Sequence, residues 1–136
     1  MTTLHPRRGL VTRTTTGLLA FMLAAAFGTV RTTAEPARSF ERAMIIPVQG
    51  EINEITAGSI NRRLERVRAE KVPLVIFKLD TPGGAVGPTL KICHAIKQLR
   101  SEGIKTYAWI DSEAYSAGTI VAMATGGIVM TPNATM

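Results

Sequence analysis

Two short stretches of this chain hold residue types that together can do chemistry: Asp80-Thr81-Pro82-Gly83-Gly84 and Glu113-Ala114-Tyr115-Ser116-Ala117-Gly118. Adjacent glycines let the backbone approach a ligand closely and turn its N–H groups outward. That is one way to hold a carbonyl oxygen as it gains negative charge. The phosphate-binding pattern G-x-x-x-x-G-K-[ST] is not met, which leaves acyl chemistry or a plain strand-to-helix turn. Ser116 stands among small residues where a helix is expected to begin, so helix N-terminal amides and the positive end of the helix dipole would lie beside its hydroxyl. The competing reading is an N-cap serine, whose oxygen bonds an orphan amide and does nothing more.

Both stretches need elements to present them. Ala43–Val48, Leu74–Leu79, Ile104–Ile110 and Gly127–Met130 have strand composition, with Pro47 placing the first at a sheet edge or at that strand's end. An amphipathic helix is predicted over Thr56–Glu70. A second, starting at Gly87-Pro88, buries Leu90, Cys93, Ile96 and Leu99 and stops near Gly103. Ala117–Ala124 is a short buried helix. Of Tyr107 and Trp109, at least one should pack into the core. The strand starts are 31, 30 and 23 residues apart, close to a βα repeat, so the strands run parallel with right-handed helical crossovers. Spacing alone suggests a doubly wound α/β sheet. Both chemical stretches then fall at the C-terminal ends of strands, where parallel sheets place their sites. Thr131–Met136 follows a strand with no closing helix, so the chain is expected to be incomplete at its C-terminus or closed by a partner.

Charge excludes other classes. The 136 residues hold 16 Lys and Arg against 10 Asp and Glu, a net +6. Four of the arginines, and none of the acids, lie in the first 34 residues; the remaining chain carries only +2. This removes the case for nucleic-acid binding. One cysteine and two distant histidines rule out a disulfide framework and argue against a structural metal site; no metal or cofactor is expected. Arg7, Arg8 and Arg13 precede an uncharged run from Thr14 to Val30, and Thr32-Thr33-Ala34 closes the segment. Residues 1–34 read as a secretory signal peptide or an N-terminal signal anchor, which places residues 35–136 outside the cytoplasm.

Asp-Thr-Pro-Gly-Gly after one strand and Ser-Ala-Gly after the next resemble the Clp-protease/crotonase superfamily of serine peptidases. More narrowly, Leu79–Gly84, Ala114–Thr119 and Ile128–Pro132 are similar to the NfeD family of membrane-bound serine proteases. The resemblance implies a spiral of ββα units with a mostly parallel sheet in place of a doubly wound one. It implies that Ser116 is the nucleophile and that Gly83, Gly84 and the amide of Ala117 form the oxyanion hole. A peptide substrate, often an apolar segment of a membrane protein, membrane association and a homo-oligomer are implied with it. Tyr115 departs from the small residue usual before the nucleophile.

A hydroxyl needs a base to remove its proton. In the family that base is a lysine on a later helix, its amine drawn down from the usual pKa by burial. The twenty residues after Ser116 hold no Lys, His, Asp or Glu, so the base is expected beyond this chain's end. Lys78, read as snorkelling from the sheet edge, and His94, beside the buried face of its helix, are poor substitutes. The leading expectation is thus the N-terminal part of a serine endopeptidase with a Ser-Lys dyad. Its alternatives are a catalytically inactive fragment or scaffold module of a membrane complex, and a crotonase-like acyl-thioester enzyme. An α/β-hydrolase is disfavoured because Asp111-Ser-Glu-Ala separates the third strand from Ser116, whereas the nucleophile elbow follows its strand directly.

Overall fold

The structure, a computed structural model, describes residues 39–136. The leader read over residues 1–34 lies outside the described residues. The elements run β1 (Met44–Gln49), α1 (Glu54–Ala69), β2 (Leu74–Thr81), α2 (Val86–Ser101), β3 (Lys105–Ala114), α3 (Ala117–Ala124) and β4 (Ile128–Met130).

The α1 helix starts two residues ahead of the predicted position because Asn53 caps it. Its side-chain oxygen accepts the amides of Ile55 and Thr56, each at 3.0 Å. Ala57, Ile60, Leu64 and Val67 then fall on one buried stripe at spacings of three and four. Pro88 sits in the first turn of α2, where its missing N–H costs no helix bond. The buried stripe of α2 runs through Thr89, Ile92, Cys93, Ile96 and Leu99. Leu90, expected in that stripe, is 58% exposed; one residue past Thr89, it is turned about 100° away from the core.

All four strands are parallel and lie in the order β1-β2-β3-β4. Right-handed crossovers that always step in one direction put every helix on the same face of the sheet. Burial alternates accordingly. Ile46 and Val48 of β1, Val75, Phe77, Leu79 and Thr81 of β2, and Thr106, Ala108, Ile110 and Ala114 of β3 are buried under the helices. Their neighbours, among them Ile45, Ile76, Lys78, Tyr107 and Trp109, face the other way and are exposed or half-buried. A doubly wound sheet, suggested by spacing alone, would cover both faces; the described residues form two layers.

Three expectations are corrected by this geometry. Neither Tyr107 nor Trp109 enters the core, because the odd-numbered positions of β3 from Lys105 to Trp109 point away from the helices. Trp109 instead donates its indole N–H to Thr131 Oγ1 at 3.2 Å. Lys78 is not at an edge: it lies on β2, between β1 and β3, on the helix-free face. Its ammonium pairs with Asp111 at 2.9 Å and stands 4.8 Å from the centre of the Trp109 ring. Finally, β3 runs four residues further than predicted. A register shift lets Leu79 pair with Ile110 and Thr81 with Ala114, and this irregularity carries the strand to within one residue of Ser116. Pro47, as expected, is on an edge strand.

Candidate active site

Thr81, fully buried at the end of β2, organises the site. Its hydroxyl donates to the carbonyl of Gly50 and accepts the amide of Gly83 at 3.1 Å. Its own carbonyl accepts the amide of Tyr115 at 3.0 Å. One residue thereby ties the β1–α1 turn, the glycine pair and the turn that bears Ser116.

The glycine pair is held on its far side by Ile52, which forms a parallel bridge with Gly84. The Ile52 amide donates to the Gly83 carbonyl, and the Ala85 amide to the Ile52 carbonyl, both at 2.8 Å. A side chain on Gly84 would drive into the Ile52 backbone, and a Cβ on Gly83 would lie 3.0 Å from the Ser116 Cβ, 3.0 Å from the Tyr115 carbonyl and 3.2 Å from the Ala117 nitrogen. Stretches thirty-odd residues apart therefore meet, with Gly83 in contact with the turn that carries the serine.

Ser116 holds φ 49° and ψ −113°, a backbone state that a residue with a Cβ rarely takes and that costs on the order of 1–3 kcal/mol. The turn is fixed on both sides. The Gly118 amide donates to the Tyr115 carbonyl at 2.8 Å, and the Thr119 hydroxyl to the Ala114 carbonyl at 2.6 Å. Ser116 occupies the N-cap position of α3, yet its side chain makes no cap hydrogen bond and is exposed. The hydroxyl is not engaged as a cap.

Among the described residues, the amides of Gly84 and Ala117 have no hydrogen-bond partner, whereas that of Gly83 is occupied by Thr81. All four residues named from sequence are thus brought together, but Gly83 differs from the other two glycine-loop and helix-start amides in being engaged. Its place is one of close packing. Sequence reasoning missed Thr81 as the organising hydroxyl and Ile52 as the clamp. Ile52 was visible only as a single apolar residue between Glu51 and Asn53.

The ionisable candidates lie elsewhere. Lys78 is on the sheet face opposite the helices and is paired with Asp111. His94 is exposed on α2, 3.0 Å from Gln98, in a groove lined also by Asn61 and Glu65 of α1. Lys91 pairs with Glu54 at 2.9 Å. Cys93 is buried, with its thiol 3.7 Å from the Ile120 carbonyl of α3; burial pushes its pKa up, against a smaller opposing effect of Lys97. No cluster of three or more His, Cys, Asp or Glu that could hold a metal occurs among the described residues. Val86, Ile120 and Met123 present exposed apolar side chains on the helices flanking the glycine loop and Ser116. Tyr115 is tethered through its hydroxyl to Thr135 Oγ1 at 2.6 Å. Thr135 itself is paired with the end of β3, through Ala114 and Ser112.

The family model for the NfeD1b N-terminal domain matches residues 42–136, which include both chemical stretches. The chain belongs to this family. It is 35% identical over 78 residues to the candidate protease slr0021 of Synechocystis sp., a match covering 57% of this chain and 28% of that one. Among solved structures, the 1510-N membrane protease of Pyrococcus horikoshii, specific for a stomatin homologue, superposes with a TM-score of 0.60 at 25% identity. That match covers 68% of this chain and 46% of the other. A lysine-to-alanine variant of 1510-N, in complex with a substrate peptide, gives 0.64 at 24% identity over 71% and 44%. ClpP1 of Listeria monocytogenes gives 0.51 at 20% identity over 60% and 46%. The fold is ClpP-like. This NfeD1b-family chain spans less than half the length of each of these relatives. The longer β3 removes the sequence objection to an α/β-hydrolase, but the superposition on ClpP-like structures favours the ClpP-like fold.

Proposed function

We propose that this chain carries the nucleophile and the oxyanion donors of a serine endopeptidase. Ser116 would attack the scissile carbonyl of an extended peptide, and the amides of Gly84 and Ala117 would hold the oxygen as it becomes an oxyanion. Gly83, its amide bonded to Thr81, supplies the close backbone packing that sets the other two groups beside each other. The observation that carries this reading is the contact of Gly83 with the Ser116 turn, which sets a strained, uncapped serine beside two unoccupied amides. The relatives are proteases, one of them solved with a substrate peptide, which supports hydrolysis of peptides over an acyl-thioester reaction.

The proton acceptor would be a lysine, as the family resemblance implies; Lys78, paired with Asp111, and His94, exposed on α2 beside Gln98, are not assigned that role. Exposed Val86 at the start of α2 and exposed Ile120 in the first turn of α3 suit an apolar peptide segment. Membrane association follows the 1510-N relative, a membrane protease, and the leader read at residues 1–34 implies export. Among the described residues no helix is long and apolar enough to cross a bilayer.

A fluorophosphonate probe tests the nucleophile. In a protein extended to include the lysine, labelling is expected and Ser116→Ala abolishes it; label retained by that variant removes Ser116 from the mechanism. A second reading, a scaffold module that kept the fold, is favoured because, among the described residues, no lysine or histidine is bonded to Ser116. An extended protein that neither labels nor cleaves apolar peptides would establish it.

A further inference from the structure

Charge on the described domain is divided between the two ends of the sheet. Arg42, Arg66, Arg68, Lys71, Lys97, Arg100 and Lys105 lie where strands begin and helices end, against Glu41, Glu70 and Glu102. At the other end, where Ser116 stands, Glu51, Glu54, Asp80, Asp111 and Glu113 face only Lys78 and Lys91.

Pairing sharpens the contrast. Glu70 and Glu102 are already engaged by Arg66 at 3.3 Å and Arg68 at 2.8 Å. Lys97, Arg100 and Lys105 pair with no carboxylate among the described residues. They line one cleft of about 490 Å³ together with Ser101, Tyr107 and Gly126, and no acid lines it. The C-terminal ends of α2 and α3 point here, and Arg100 donates to the Ala124 carbonyl at 3.3 Å. Two helix ends bring roughly half a negative charge each, too little to balance three full cations. The cleft is a hollow that favours a phosphate ester. It offers a planar guanidinium, two ammonium groups and the Tyr107 hydroxyl, the Ser101 hydroxyl being donated to the Gln98 carbonyl at 2.7 Å.

We infer that this end of the domain docks on an anionic lipid surface, with phospholipid headgroups seated at Lys97, Arg100 and Lys105. The inference rests on the membrane association in the function proposed above. Two observations select lipid over a soluble anion. The excess of cations extends across the whole end of the sheet, beyond the cleft. Also, β1 starts at this end, so the chain before residue 39, with its uncharged run from residue 14 to 30, joins the domain here. Docked in this way, Ser116 stands roughly 25 Å from the bilayer, the length of β2, and its acidic surroundings face away from the lipid.

Co-sedimentation of the full chain with vesicles tests this. Phosphatidylcholine is compared with phosphatidylcholine containing about a third phosphatidylglycerol. Lys97→Gln/Lys105→Gln is the test variant, since neither side chain makes a bond within the domain. Arg62→Gln/Arg63→Gln is the control of equal charge change on the middle of α1. The test variant is expected to lose about tenfold or more in affinity for the anionic vesicles, at roughly fivefold per cation, with the neutral vesicles and the control unaffected. The four leader arginines are common to all the proteins and cancel. Equal losses in both variants, or none in the test variant, would overturn the inference. So would complete displacement by millimolar inorganic phosphate, which marks a free-anion site instead. Fluorophosphonate labelling of Ser116 is read separately, so failure here leaves the hydrolytic proposal standing.

Discussion

The Thr81 Cγ2 methyl fills the space in which a side chain at position 118 would begin: a Cβ on Gly118 would lie 2.7 Å from it. The first turn of α3 therefore rests directly on the end of β2. That contact is what presses the Ser116 turn against the glycine loop, because the same threonine also bonds Gly83 and Tyr115.

Gly118→Ala should accordingly destabilise the fold by about 1–3 kcal/mol, the usual cost of overfilling a packed contact. In a Thr81→Ser background the methyl is gone, and the same alanine should then be neutral or stabilising through its better helix propensity. Urea denaturation of the four proteins in this cycle measures the coupling. Additive effects would mean that the contact carries no strain.

Thr81→Val keeps the shape of the side chain but removes its hydroxyl, leaving the Gly50 carbonyl and the Gly83 amide without their partner. A loss of about 1–3 kcal/mol is expected in the same denaturation experiment. Thr81→Ser, which retains both hydrogen bonds, should lose less. A valine variant as stable as the parent would show that water replaces the hydroxyl at no cost.

Strain at Ser116 makes its own prediction. Ser116→Gly relieves the positive φ, whereas Ser116→Ala does not, so the glycine variant should be the more stable of the two by about 1 kcal/mol. Both should be unreactive toward fluorophosphonate in an extended protein. An alanine variant that melts higher than the glycine variant would mean that the turn is unstrained.

The buried thiol of Cys93 gives a pH dependence. Its pKa is raised in the folded chain, first by burial, so the folded state keeps the proton that the unfolded chain releases near the ordinary value of 9.0. Unfolded chains bind fewer protons there, and stability falls as pH rises above that value; below it the effect is absent. Cys93→Ala should flatten this alkaline decline. Thermal melts between neutral and alkaline pH compare the two slopes, and parallel slopes would dismiss Cys93 as their source.

Much of this was legible in the residues. The βα repeat announced parallel strands, and Gly83-Gly84 and Ser116 marked two turns that the fold brings into contact, because backbone freedom leaves a plain mark. What was hidden depends on long-range register. Spacing between strands does not tell on which face a helix lands, so the bare side of the sheet, and with it the positions of Tyr107, Trp109 and Lys78, had no local signature. The extension of β3 to Ala114 was masked by Asp111, Ser112 and Glu113, polar residues that read as a loop but pair through an irregular ladder. The occupation of the Gly83 amide could not be foreseen either, since it depends on the rotamer of a threonine two residues earlier.

Pro47 gives the sheet a direction of growth. It sits on β1, whose outer side is open, and it has no amide hydrogen to offer a newcomer there. Strands arriving from elsewhere are thereby discouraged on that flank. The flank of β4 carries no such block, and Ile128, Val129 and Met130 are all uncovered. A staircase built from these steps would be extended from its upper landing, beside the strand that leads to Ser116, and not from its foot.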